Sequence, residues 1–184
     1  MTGFRIAFGQ HISGLTADGK ELHAPVFDEN QVRAAAGLTM VVGAVAFAYA
    51  YFAENYVPLQ VASTLFFVEF VMRLTTGLKY SPMGVIARGL THGQPPEWVS
   101  AKPKRFAWTL GLGMAFAMTI ITNSGVRGTL PRTICLTLMW MESVLGLCVG
   151  CKIHALLVRR GWTTKDPAFE VCAHGVCEVP VRTS

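Results

Sequence analysis

The run AAAGLTMVVGAVAFAYAYFA, from Ala34 to Ala53, decides the fold: it lies between Arg33 and Glu54 and contains no charged residue. A helix rises about 1.5 Å per residue, so a hydrocarbon core about 30 Å thick needs about 20 apolar residues. This run has that length and reads as a first transmembrane helix. Beyond Glu54-Asn55, a second span runs from Val57 to Leu78, with Pro58 in the first turn, where its missing N–H leaves no bond unmade. A third uncharged run extends from Phe106 to Asn123, and a fourth from Thr133 to Leu157 with Glu142 inside it. The expected fold is all-α: a polytopic membrane protein with four transmembrane helices over 34–53, 57–78, 106–123 and 133–157.

Composition agrees. The 184 residues are 52% hydrophobic and 15% charged, with a mean hydropathy of +0.41, whereas a soluble domain carries about a quarter charged residues. Soluble, collagen-like and disordered classes are excluded, and five Cys do not make a disulfide scaffold. The formal net charge is +5, but the basic residues are dispersed rather than striped beside stacking aromatics. The partner they leave is the lipid bilayer, with no nucleic acid.

Residues 1–29 form an N-terminal extension without the basic patch and apolar core of a secretory signal. Within it, Asp18-Gly19, flanked by Leu15 and Leu22, reads as a hairpin turn. Residues 30–162 form the four-helix domain and 163–184 a C-terminal tail. The loop between the second and third spans holds Lys79, Arg88, Lys102, Lys104 and Arg105. The first hairpin loop has only Glu54, the second outer loop has Arg127 and Arg132, and Arg159, Arg160 and Lys165 follow the fourth span. Lys and Arg accumulate on the cytoplasmic side of short loops, so both termini are expected there. In the long inner loop, Ser81-Pro82 reads as an N-cap and first helical position, with Met83, Ile86 and Leu90 at helical spacing: a short interfacial helix. Trp98, Trp108 and Trp162 fall near the inner ends of spans and are expected at headgroup level. Gly146 and Gly150, four apart, would admit another helix closely.

Several residues could carry chemistry. Glu69 and Arg73 stand four apart on the second span, close enough to pair, and charges at that depth face protein or a water-filled cavity. The pair either fixes packing or serves a site, and Arg73 has the alternative of snorkelling to the headgroups. Glu142 has no cation within four residues on its own helix; it can stay protonated, pair with Arg73 or relay a proton. Cys148-Val149-Gly150-Cys151-Lys152-Ile153-His154 places two thiols three apart on a helix, where they can meet one substrate, with Lys152 and His154 favouring the thiolate. The end of a helix disfavours that charge, which Arg159 and Arg160 would offset together with Lys152 and His154. In the tail, Cys172 and Cys177 flank His174. The two Cys pairs could exchange a disulfide, or Cys148, Cys151, Cys172, His174 and Cys177 could supply a tetrahedral metal such as zinc. A cytoplasmic position argues against a permanent disulfide. Cys135 reads as packing, and His11, His23 and His92 as isolated surface residues. No phosphate-binding Gly-Lys-Ser loop, dinucleotide fingerprint, His-Glu-x-x-His motif or Ser nucleophile elbow is present, so ATP hydrolysis is not expected of this chain alone.

The ordered set Asp28-Glu29-Asn30-Gln31-Val32-Arg33, Glu69-Phe70-Val71-Met72-Arg73, Tyr80-Ser81-Pro82, Lys102-Pro103-Lys104-Arg105-Phe106-Ala107 and Cys148-Val149-Gly150-Cys151-Lys152 resembles the bacterial integral membrane family known as domain of unknown function 4395. The resemblance covers Asp28 to Trp162. It implies a four-helix protein of the bacterial inner membrane with a Cys-x-Gly-Cys motif late in the fourth helix. It also implies proximity to thioredoxin-like or sulfur-metabolism proteins. Membrane thiol oxidoreductases of the vitamin K epoxide reductase type offer an analogy, with a Cys pair in a fourth helix working with a quinone, although on the outer side. The expected function is thiol–disulfide exchange or sulfur transfer by Cys148 and Cys151 with a thioredoxin-like or sulfurtransferase partner, with Arg73, Glu69 and Glu142 managing charge or protons. A quinone or zinc is the cofactor such chemistry would take. The competing expectations are an accessory subunit of a larger respiratory, photosynthetic or transport complex, and a metal-handling protein.

Overall fold

The computed structural model describes residues 16–17, 20–21, 25–124, 137, 149–162, 171–173 and 176–178. Strands β1 (Thr16–Ala17) and β2 (Lys20–Glu21) pair antiparallel with Ala17 opposite Lys20. The expected turn at Asp18-Gly19 lies outside the described residues. Strand β3 (Val26–Asp28) leads directly into helix α1 (Glu29–Phe52). Asp28 is the N-cap: its carboxylate accepts the N–H of Asn30 at 3.1 Å, satisfying one of the donors that a helix start leaves orphaned.

Glu54, with φ of 50°, turns the chain between α1 and α2 (Val57–Thr75), and the side chain of Asn55 accepts the N–H of Val57 at 3.1 Å. Helix α2 stops three residues short of Leu78 because Gly77 adopts φ of +87°, a left-handed conformation that a helix cannot continue through. A single 3-10 turn over Leu78–Tyr80 follows, then α3 (Pro82–Leu90). The Ser81 hydroxyl accepts the N–H of Gly84 at 3.2 Å, so the Ser-Pro start acts as the sequence indicates.

Strand β4 (Trp98–Ser100) precedes α4 (Ala101–Asn123), and α5 covers Val149–Arg159. Strands β5 (Val171–Ala173) and β6 (Val176–Glu178) complete a four-stranded sheet in the order β3-β4-β6-β5. This sheet joins the segment before α1, the segment before α4 and the tail. The fold is helical as expected; the strands are additions, each too short to leave a periodic signal.

Helices α1, α2 and α4, of 24, 19 and 23 residues, are long and apolar enough to cross a membrane. Their packing suits a lipid solvent. Large apolar side chains such as Val41, Val45, Val61, Leu65, Phe116 and Ile120 are exposed, while Ala35, Ala46, Ala50, Ala62 and Ala115 are buried between helices. In a bilayer burying apolar area between helices brings little gain, and small residues let backbones approach. Most of the expected fourth span, with Glu142, lies outside the described residues.

Helix α4 begins at Ala101 and contains the whole expected span 106–123, with its first-turn cation Lys104 buried and paired. One expectation needs correction. Trp108 is buried, its ring 4.9 Å from that of Phe27. It belongs to the core with Val32, Phe70 and Val99, not to a headgroup belt.

Candidate site at the converging motif segments

Glu69 and Arg73 lie on one face of α2, both buried, with Nε of Arg73 donating to Oε1 of Glu69 at 2.8 Å. At 2% exposure Arg73 does not reach a headgroup, which rules out snorkelling. Its guanidinium donates a longer bond of 3.4 Å to the Thr39 hydroxyl on α1, and its central carbon lies 5.3 Å from the Phe70 ring centre and 5.9 Å from that of Trp108. The other Glu69 oxygen, Oε2, accepts the backbone N–H of Met83 at 3.2 Å. One carboxylate thus neutralises a buried cation and caps a second helix, where the N-terminal dipole favours negative charge.

A second buried ion pair escaped the sequence reading. Nζ of Lys104 sits 3.0 Å from Oε1 and 2.9 Å from Oε2 of Glu29. Glu29 is in the first turn of α1 and Lys104 in the first turn of α4. Around them the Asp28 carboxylate also accepts the N–H of Glu97 at 3.2 Å, the N–H of Glu29 donates to the Glu97 carbonyl at 2.7 Å and Asn30 Nδ2 donates to the Pro95 carbonyl at 3.0 Å. The approach to α4 is thereby fastened to the start of α1.

Helix α5 packs beside α4. A β-carbon on Gly150 would come within 2.5 Å of the Ala107 side chain and 2.6 Å of its α-carbon, so this position accepts only glycine at the observed helix spacing. Cys151 and His154, three apart on the same helix, are both buried, whereas Lys152 is exposed. The His154 ring stands 5.6 Å from that of Phe106.

The segments that carry the resemblance are therefore joined in space. The first reaches the fourth through Glu29 and Lys104, the second reaches Met83, the residue next to the third, through Glu69, and the fourth touches the fifth through Ala107 and Gly150. Residues 27–159 match the sequence profile of the family described as Domain of unknown function (DUF4395). The chain belongs to the DUF4395 family. The matched region begins at Phe27 in β3 and ends at Arg159, the last residue of α5, so it includes both buried ion pairs and excludes strands β5 and β6. No curated protein and no solved structure matches the chain significantly.

Within this DUF4395 chain the predicted site residues divide into two groups. The structure brings Glu69 to Arg73 and seats Cys151 and His154 against α4. Glu142, Cys148 and His174 lie outside the described residues; Cys172 and Cys177 are described in backbone only. Among the described residues no three His, Cys, Asp or Glu side chains gather in a way that could hold a metal. Glu29 and Lys104 stand in two of the segments on which the resemblance rests, the available signal for a pair separated by 75 positions.

Chemically, the buried charges are paired and hydrogen-bonded, which suits a framework that fixes helix positions. Removing one partner of a buried pair costs far more than the pair contributes as a unit. The thiol of Cys151 and the imidazole of His154 are the buried groups on α5 whose chemistry this framework would position.

Proposed function

We propose that this DUF4395 protein is a bacterial inner-membrane dithiol protein in which Cys148 and Cys151 exchange disulfides with a thioredoxin-like or sulfurtransferase partner in the cytoplasm. The observation that carries the reading is the seat of Cys151: buried beside the buried His154, on a helix fixed against α4 by Gly150. A buried thiol suits the resolving role. The Cys148 thiolate attacks one sulfur of the partner's disulfide, forming a mixed disulfide and releasing one partner thiolate. The Cys151 thiolate then attacks the Cys148 sulfur, closing the Cys148–Cys151 disulfide and releasing the second partner thiolate. Two electrons pass from this chain to the partner, and the released thiolates take up protons.

Four spans with both termini cytoplasmic fit this reading. Strand β3 precedes α1, β4 lies between α2 and α4, and β6 follows α5; all pair in one sheet, so all share one side of a bilayer. Helices α1 and α2 make two crossings between β3 and β4, and the same parity from β4 to β6 asks for one crossing besides α4. The cations Lys79, Arg88, Lys102 and Arg105 support the cytoplasm as that shared side. There, α3, with Val85, Ile86 and Leu90 exposed, lies in the headgroup interface.

Differential alkylation with mass spectrometry on native membranes tests the proposal. Reversible oxidation or persulfidation of Cys148 and Cys151 is expected, persulfide marking sulfur transfer rather than disulfide exchange. Uniformly reduced, unmodified thiols under every growth condition would overturn it in favour of an accessory subunit of a larger complex.

A further inference from the structure

Strands β5 and β6 pair with Cys172 opposite Cys177, flanked by Val171 opposite Glu178 and Ala173 opposite Val176. Directly opposed residues in an antiparallel ladder share a face, with β-carbons about 4.5–5.5 Å apart. Hydrogen-bonded and non-hydrogen-bonded pairs alternate along the ladder. With two residues connecting the strands, the closing pair Ala173 and Val176 is the hydrogen-bonded type, and the next pair, Cys172 and Cys177, is the closer type. Its α-carbons stand about 4.5 Å apart in such a ladder, inside the range of about 4.4–6.8 Å that a disulfide spans.

We propose that Cys172 and Cys177 form a reversible cross-strand dithiol–disulfide site whose substrate is a low-molecular-weight disulfide. One of the two thiolates attacks a sulfur of the incoming disulfide, forming a mixed disulfide and releasing one small thiolate. The opposed Cys thiolate attacks the protein sulfur of that bond, closing the Cys172–Cys177 disulfide and releasing the second small thiolate. The Cys pair loses two electrons and two protons; the small disulfide gains them as two thiols. The hairpin register makes the second step intramolecular between adjacent groups, so closure outruns capture of a second small molecule.

A cross-strand Cys pair by itself supplies two of the four ligands that a tetrahedral zinc takes, so added zinc separates this reading from the metal reading of the tail in the test below. The site lies outside the segment matched by the family, 27–159, and is carried by strand register alone, independently of Cys148 and Cys151. Strand β6 also pairs with β4, Glu178 opposite Val99. Closing the disulfide one position from Glu178 stiffens the strand that joins the tail to the sheet.

The test uses the full chain in detergent with Cys135→Ser, Cys148→Ser and Cys151→Ser, leaving Cys172 and Cys177 as its two thiols. It is incubated with oxidised glutathione and digested with trypsin, which places both Cys in the peptide Asp166–Arg182. The expected product is that peptide short of two hydrogens and free of glutathione, with Cys172→Ser instead holding one glutathione adduct. Inserting one glycine after Gly175 moves Cys177 out of register and is expected to convert the closed peptide into a doubly glutathionylated one. Two adducts without the insertion, two unmodified thiols, or protection of both thiols by added zinc would overturn the proposal. Because Cys148 and Cys151 are absent from the tested chain, its failure leaves the proposed function untouched.

Discussion

Glu69 on α2 accepts the backbone N–H of Met83, the second residue of α3, at 3.2 Å, so a side chain buried in one helix serves as part of the cap of the next. The same carboxylate binds Nε of Arg73 at 2.8 Å. The position of α3 is therefore set by a charge inside the bundle as well as by the Ser81 hydroxyl at its own N-terminus.

Arg73→Lys is expected to destabilise the protein although it keeps the charge. A lysine ammonium cannot reach Glu69 and Thr39 together while also standing over the Phe70 and Trp108 rings. An unmade buried hydrogen bond costs about 1–3 kcal/mol. Thermal unfolding of the purified protein in one detergent should show Arg73→Lys clearly below wild type, and Glu69→Gln lower still, because it leaves the guanidinium buried without a counter-charge. Equal melting of Arg73→Lys and wild type would show that the guanidinium geometry is unimportant.

Lys104→Met alone should cost about 3–5 kcal/mol by leaving the Glu29 carboxylate buried and uncompensated. The double variant Glu29→Leu/Lys104→Met should regain most of that loss. A double-mutant cycle on unfolding free energy in mixed micelles reads the coupling directly. Additive losses would mean that the two charges act independently.

Gly150→Ala should displace α5 from α4, since the added methyl falls 2.5 Å from the Ala107 side chain. Overpacking of this kind costs about 1–3 kcal/mol. Ala107→Gly in the same chain removes that methyl contact and should restore part of the lost thermal stability. The nearby α-carbon of Ala107, 2.6 Å from the new atom, keeps the rescue incomplete. Full stability of Gly150→Ala would refute the close approach of the two helices.

Cys151→Ser should trap the partner as a mixed disulfide on Cys148, whereas Cys148→Ser should trap nothing. Non-reducing electrophoresis of native membranes followed by identification of the reducible conjugate checks this. Conjugates with Cys148→Ser and none with Cys151→Ser would exchange the two roles.

The membrane helices were legible because uninterrupted apolar length is a local property. Helix α1 and the start of α2 follow the sequence closely, and Ser81-Pro82 announces α3. The turn that precedes the third apolar run was not legible: counting charges treats every lysine as solvated, and Lys104 is neutralised by a carboxylate 75 residues away. Trp108 was misplaced for a related reason: proximity to a span end suggests the interface, but Phe27 from β3 covers its ring. The pairing of β3 with β4 rests on three residues from each strand, too few for an alternating pattern. At the site, the spacing of Glu69 and Arg73 disclosed their contact, while Thr39 and Met83 joined them only through the fold.

The bond between Glu29 and Lys104 also sets an order of assembly. Chains are synthesised at about 5–20 residues per second, so the 75 positions between these residues correspond to a wait of about 4–15 s. During that interval α1 is completed while its counter-charge is still missing. A charged Glu29 carboxylate is stable in that interval only where water or headgroups solvate it, so its burial at the start of α1 follows the translation of the first turn of α4.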